Sequence, residues 1–392
     1  MSLKFIKVKK KTLLTAVITA VISVFISFIA FYFIFLSDGR YLKLKQLDFF
    51  VENYFYGEID STKINDMIIR GYVAGLDDKY ARYYSAEETN ERTNDLNGKG
   101  QGIGVIISKH PNSENIFIKN VYEGAPADKA GIKEGDQIIA VDGVTTEELT
   151  YAKAVDAMLK PVGEKIKVTI LRAEQTFDLE ITYSSFVAQT VFPKAIEDYG
   201  YIKITSFNAG TPQQFEKAVN QLALDGAKAL IFDLRSNGGG TVDDVCKMVD
   251  FLCPSGNIMS EKYANGKIRV TEISDKGEIN LPMVVLTNGS TASAAEIFTA
   301  SIRDFGKGIS MGEKTYGKGV MQRTYKFTDG SSVSFTIAEV LSHSGTSFNG
   351  KGIEPDVKVN LTEEQIRYNH TASAEQDLIV QAALEYLKNN EN

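Results

Sequence analysis

The apolar positions of this chain fall into three patterns. The first is an unbroken run. Residues 13–36, LLTAVITAVISVFISFIAFYFIFL, hold 24 residues with no charge. At 1.5 Å per residue such a helix crosses a bilayer with some tilt. A cleaved signal peptide is the competing reading, but the run exceeds the roughly 7–15 apolar residues of a signal core and no A-x-A-like site closes it. A retained transmembrane helix is therefore expected over 13–36, behind a basic tail at 1–12.

The second pattern is helical. Leu44, Leu47, Val51, Tyr54 and Phe55 recur at helical spacing, and Ile64, Met67, Ile68, Tyr72, Val73 and Leu76 continue it up to Asp77-Asp78. A helical region is predicted over 41–97. Its apolar stripe packs either on the rest of the chain or on a second copy, as a homodimer contact. The third pattern is made of short strands. Gly102-Ile103-Gly104-Val105-Ile106-Ile107 opens one, and 116–121 is another. A strand inside 135–143 ends in an Asp-Gly turn, and strands at 166–171 and 177–181 follow a helix carrying Leu149, Ala152, Val155 and Leu159. This reads as a separate β-rich module at 98–186. From 187 to 392, strands (201–207, 229–234, 283–288) alternate with helices (211–224, 241–252, 294–305). Late strands at 324–327 and 332–340 and a closing helix at 374–388 follow. That alternation predicts an α/β layer fold.

Length and charge refine this picture. The chain has 392 residues, more than one core holds, so two or three domains are expected. Five lysines and no acid precede residue 12, which places the tail in the cytoplasm and everything after Ser37 outside, as a single-pass cell-membrane protein. Without those five lysines the net charge of −7 becomes about −12, which argues against nucleic acid and anionic lipid surfaces as partners. The two cysteines, Cys246 and Cys253, lie two helical turns apart, about 10 Å, too far for a disulfide; they read as small buried hydrophobes. Two cysteines and three scattered histidines make no metal set, and no cofactor is expected.

The chemistry concentrates between Thr287 and Gln322. Ser293 sits where a Gly/Ser/Thr-rich loop enters a helix, and Lys318 lies between Gly317 and Gly319. Serine needs a base to become a nucleophile. His110 lies in the β-rich module and His370 near the tail, while His343 sits in a Ser-His-Ser-Gly turn that reads as a surface loop. Lysine is the better base, provided that burial without a carboxylate partner lowers its pKa from near 10.4. Gln322, four residues on, is placed to orient the amine through a neutral amide. Two readings of Ser293 stand: the cap of an S-x-x-E box with Glu296, or a nucleophile whose oxyanion meets the Ala294 amide at a helix start. Upstream, Asn237-Gly238-Gly239-Gly240 ends an apolar strand. It is either an ordinary turn braced by Asp233 and Arg235, or the rest of an oxyanion hole through the Gly239 or Gly240 amide. Gly312 to Lys318 matches the front of a phosphate-binding loop, but Gly319 stands where Ser or Thr would hold magnesium.

These residues resemble a known family, the carboxy-terminal processing peptidases or tail-specific proteases. The resemblance runs from about residue 45 to the end. It is carried by Gly71 to Asp78, Gly100 to Val105, Ala125-Pro126-Ala127 and Asp233 to Gly240. Ser290 to Glu296, Gly312 to Gly319 and Gly350 to Asp356 complete it. It implies an α/β core of the Clp-protease/crotonase kind with an inserted PDZ domain, and a serine endopeptidase whose Ser-Lys dyad and assisting glutamine fall on Ser293, Lys318 and Gln322. It also implies that protein or peptide C-termini bind a backbone-amide loop at Gly102, Ile103, Gly104 and Val105, with the peptide adding a strand. Arg172 matches a family position expected to couple peptide binding to the protease body. Gly238 and Lys79 stand where the family often has proline, and the first loosens the oxyanion assignment. Two other readings remain: an inactive membrane-tethered PDZ scaffold, and a protease using His343.

Overall fold

Alternate residues of the central strands face opposite sides, and the two sets build two cores. In this computed structural model, which describes residues 10–32, 39–110, 112–275 and 277–390, the strands run Val191–Ile196, Tyr199–Ile204, Leu230–Asp233, Met283–Thr287, Gly308–Gly312 and Val357–Lys358 in spatial order. The first pair is antiparallel and the rest are parallel. Ile202, Phe232 and Val285 face helices Thr211–Leu224, Val242–Leu252 and Ala294–Asp304. Tyr201, Ile231, Val284 and Leu286 face the last helix, Leu378–Asn389. Both faces are covered, which is why the strands read as continuous apolar runs. Cys246 and Cys253 are free thiols buried in the first of these cores.

A second sheet, which the sequence reading missed in large part, packs beside the first. Strand Ser332–Leu341 carries Val320–Lys326 on one edge and both Arg82–Tyr84 and Gly256–Tyr263 on the other, with Ile268–Ser274 beyond. The stretch read as wholly helical over 41–97 therefore contains a strand. Helices Gly39–Tyr54, Ser61–Ala74 and Ala86–Leu96 are present, but Asp77 takes a left-handed φ of 54° and the following residues pair with the late strand. Tyr83 is buried against Val73 and Ala81 there.

The β-rich module has a sheet in the order Val105–Lys109, Ile116–Val121, Gln137–Val141, Lys165–Arg172 and Gln175–Thr182, around a core of Ile116, Ile118, Ile138, Ile166 and Val168. A two-stranded ribbon, Lys99–Gly102 against Ser184–Val187, joins its two ends.

The chain divides into two units, Met1–Asn65 and Asp66–Asn392. In the first, helix Lys10–Phe31 includes an apolar stretch, Leu14–Phe31, long enough to cross a membrane and exposed along its length. Residues 1–9 of the expected basic tail and 33–36 of the expected span lie outside the described residues. Helix Gly39–Tyr54 exposes Leu42, Leu47, Phe49, Phe50 and Tyr54.

Candidate active site

The nucleophile candidate sits at a strained turn. Ser293 has φ 59° and ψ −118° as the residue before helix Ala294–Asp304, a conformation that costs about 1–3 kcal/mol for a non-glycine residue and clusters at functional sites. The loop that holds it is bolted from below. The buried Thr291 hydroxyl donates to the Leu234 carbonyl (2.9 Å), and the Ala292 amide donates to the Asn237 carbonyl (3.0 Å).

Asn237 is buried and ties the glycine turn together. Its side-chain amide donates to the Ile204 carbonyl (2.9 Å), and its Oδ1 accepts the Gly239 amide (2.8 Å). The Gly239 amide, read from sequence as an oxyanion donor, is thus already bonded to its own turn. The Ala294 and Gly240 amides have no partner among the described residues. Glycine is needed at 239, where a Cβ would stand 2.8 Å from the Ser293 Cβ, and at 240, where it would stand 1.9 Å from the Phe207 carbonyl oxygen. Below the turn, Arg235 donates to both Asp233 oxygens (2.8 and 2.6 Å) and to Asp377 (2.9 Å), while Tyr201 donates to Asp233 (2.8 Å). Burial pushes the Asp233 carboxyl up, but Arg235 and Tyr201 more than reverse it, and the acid is held below its usual range.

A residue with no role in the sequence reading beyond capping joins the two halves of the site. Glu296 is fully buried, and its carboxylate accepts four hydrogen bonds. These come from the Ser293 amide (2.9 Å), the Lys318 amide (2.8 Å), the Gly317 amide (2.7 Å) and the Thr315 hydroxyl (2.6 Å). One carboxylate thus fixes the backbones of the serine and lysine candidates. Gly317 is required beside it: φ is 90°, and a Cβ would meet the Gly352 amide at 2.7 Å.

The Lys318 side chain is half-buried and makes no ion pair or hydrogen bond among the described residues. Its Nζ lies 5.0 Å from the centroid of the Tyr80 ring. Burial lowers its pKa, Arg92 and Arg82 push the same way, and Asp78 opposes them. Gln322 does not bond to the amine. A β-bulge at Met321/Gln322 breaks the face alternation on which the spacing argument rested, and Lys318 lies before the strand begins. The Gln322 amide donates instead to the Tyr80 carbonyl (2.5 Å). His343 is engaged elsewhere: its ring packs at a tilt on Phe305 (4.1 Å between centroids) and bonds to the Asn257 carbonyl.

In the β-rich module, Val105–Lys109 is the end strand of its sheet. A groove of about 500 Å³ is lined by Gly102, Ile103, Gly104, Val105, Val155 and Leu159 of the module, among others, and by Thr205, Ser206 and Asn208 of the α/β segment. The Ile103 and Gly104 amides have no partner among the described residues, while the Ile103 side chain is buried in the module core. Arg172, expected to couple the module to the protease body, instead makes its side-chain bonds within the module: it forks onto the buried Asp136 (2.6 and 2.7 Å) and donates to the Gly131 carbonyl.

Comparison with known proteins agrees with this architecture. Residues 198–359 match the description "Peptidase family S41", and 93–171 match a PDZ domain. The chain is 33% identical over 328 residues to the carboxy-terminal processing protease CtpA of Bacillus subtilis, covering 83% of this chain and 70% of that one. A solved structure from Bacteroides fragilis assigned to the S41 proteases superposes with a TM-score of 0.59 at 17% identity, over 86% of this chain and 93% of that chain, and shares the fold. The chain belongs to peptidase family S41, as a serine-type carboxy-terminal processing protease with a PDZ domain.

Proposed function

We propose that this protein is a membrane-anchored, extracytoplasmic endopeptidase that works through a Ser293–Lys318 dyad and selects substrates by their C-terminal tails. The observation that carries the reading is the shared Glu296 carboxylate, which positions the Ser293 and Lys318 backbones around a lysine amine that forms no ion pair among the described residues. The amine rests against Tyr80, and the dyad reading requires that it reach the Ser293 hydroxyl during the reaction. The neutral Lys318 amine then takes the Ser293 proton as Oγ attacks the peptide carbonyl. The Ala294 and Gly240 amides face the developing oxyanion. The resulting ammonium donates its proton to the leaving amine, and water hydrolyses the acyl-enzyme. Gln322 supports this arrangement through Tyr80.

The substrate C-terminus binds the Ile103 and Gly104 amides of the 98–186 module, and its backbone pairs with the free edge of Val105–Lys109. Arg172 braces that module through Asp136. The Leu14–Phe31 helix holds the enzyme at the cell membrane with residues 187–392 outside, and the exposed aromatic side chains of Gly39–Tyr54 are the surface for a second copy.

The test is turnover of a loosely folded protein with an apolar C-terminus. Ser293→Ala and Lys318→Ala each lose about a thousandfold or more in kcat while keeping the wild-type melting temperature within a few degrees. Lys318→Arg is equally inactive, because arginine stays protonated. Retained cleavage in any of the three ends the dyad assignment.

A further inference from the structure

We propose that Tyr80 is a positioning residue of this peptidase site. Its ring is the wall that dries the Lys318 amine and sets where it rests, while its carbonyl anchors Gln322. The inference rests on the Ser-Lys reading for its consequence in catalysis, but its geometry stands alone.

Three contacts meet at this one residue. The Lys318 Nζ lies 5.0 Å from its ring centroid, the Gln322 amide donates to its carbonyl at 2.5 Å, and Lys79 Nζ lies 4.6 Å from the same ring. The turn that presents it is pinned. The Asp78 carboxylate accepts the Tyr80 amide (2.9 Å) and the Thr336 amide of the late strand (2.8 Å), and the Ala81 amide closes onto the Asp78 carbonyl (3.0 Å). Arg82–Tyr84 then pairs with that strand. Tyr80 is thus carried on a built element 238 residues before the lysine it covers, since the two positions are 80 and 318.

An aromatic face has no strong acceptor or donor, so an ammonium against it loses water on that side and recovers only part of the loss from the ring quadrupole. Lys79 competes for the same ring. The charged groups around the amine are Asp78 on the turn, Arg82 on the strand and Arg92 on helix Ala86–Leu96; Glu296 meets the residue only at its backbone amide. None of these forms an ion pair with Nζ among the described residues, and the amine instead rests over the Tyr80 ring. The Tyr80 hydroxyl is buried with no well-formed hydrogen bond among the described residues, although the Lys79 amine lies close by, so phenylalanine keeps the wall while removing that polar contact.

The experiment uses the full-length chain in detergent, labelled with ¹³Cε-lysine, with the Lys318 resonance assigned by its loss in Lys318→Met. Its titration is followed together with the pH profile of kcat/KM. Removing the wall lets water reach the amine, which favours the charged form. Tyr80→Ala is expected to raise the Lys318 midpoint by about one unit or more, toward the ordinary lysine value, and to move the acid limb of the rate profile up by the same amount. Tyr80→Phe keeps the wild-type midpoint and a kcat/KM within about twofold. Tyr80→Gln, which keeps side-chain bulk but brings a polar group to the amine, raises the midpoint as well and serves where the alanine variant does not fold. Every variant retains the carbonyl that Gln322 uses, so any loss is assigned to the ring. Midpoints in Tyr80→Ala and Tyr80→Gln that match the wild type overturn the inference, as does a Tyr80→Phe midpoint that moves as far as theirs. A wild-type enzyme whose turnover is indifferent to Ser293→Ala sinks the dyad instead, and the lysine titration still decides the role of Tyr80.

Discussion

A single carboxylate, Glu296, organises more of this site than either member of the proposed Ser293–Lys318 dyad does. It receives three backbone amides and a hydroxyl with no exposure to water. An amide side chain in its place has one acceptor oxygen and turns an NH₂ group toward donors. Glu296→Gln therefore leaves at least one buried N–H unpaired, at about 1–3 kcal/mol each. The serine and lysine backbones then lose their common tether, and displacement on the order of 1 Å at a reacting group lowers rate by about a hundredfold. The expected result is a lower melting temperature together with a kcat reduced by roughly that factor and KM little changed, read by thermal melts and steady-state kinetics. Wild-type kcat in a stably folded Glu296→Gln would show that the tether is not needed. From sequence, Glu296 was visible only as the last position of a capping box. Half of that box is present, since the carboxylate reaches back to the Ser293 amide, but its other three donors arrive from a loop about twenty residues on.

At the scale of elements, the site is made where two sheets meet. The parallel sheet supplies the glycine turn after Leu230–Asp233 and the serine loop after Met283–Thr287, at the ends where parallel strands leave their ligand crevices. The second sheet supplies Gln322 and, through the short strand Arg82–Tyr84, the Tyr80 turn. The glycine turn is closely pinned, because the Thr241 amide donates to the Phe207 carbonyl (2.8 Å) and the Phe207 amide to the Gly239 carbonyl (3.0 Å). Gly240→Ala places a methyl group inside the Phe207 carbonyl. It is expected to displace the turn, reduce turnover by on the order of a hundredfold, and leave peptide binding to the β-rich module intact by calorimetry. Turnover unchanged by this substitution would show that the turn does not line the oxyanion site. The buried Arg235–Asp233–Asp377 network extends the same support to the start of the C-terminal helix, whose Asp377 caps Ile379 and Val380. Breaking a buried pair on one side leaves a charge without compensation, so this helix is tied to the site through electrostatics as well as apolar packing.

At the scale of the whole molecule, the proposed anchor puts the apolar stretch Leu14–Phe31, long and apolar enough to cross a membrane, in a different solvent from the large Asp66–Asn392 unit. Full-length protein is expected in the membrane fraction after alkaline carbonate washing, and protein lacking residues 1–38 in the soluble fraction with a kcat within about twofold of the full chain. Carbonate-extractable full-length protein would mean that the helix does not span the bilayer. The division of labour is physical. A helix that exposes apolar side chains on every face satisfies its own backbone and needs no tertiary partner, while the catalytic unit buries alternate faces of its strands and has no stability without them.

Local pattern alone determined the apolar span, the order of the β-rich and α/β segments, and the serine and lysine candidates. Each of these is written in neighbouring residues: an uncharged run, a period of two or 3.6, a serine entering a helix, a lysine between glycines. Tertiary structure alone decided what surrounds the lysine, where Gln322 points, which amides remain for an oxyanion, and that a stretch read as helix yields a strand. Those outcomes depend on a bulge that shifts a face by one residue, on a turn 242 residues from the amide it receives, and on a carboxylate shared by two loops. Such contacts are set by how elements pack rather than by spacing along the chain.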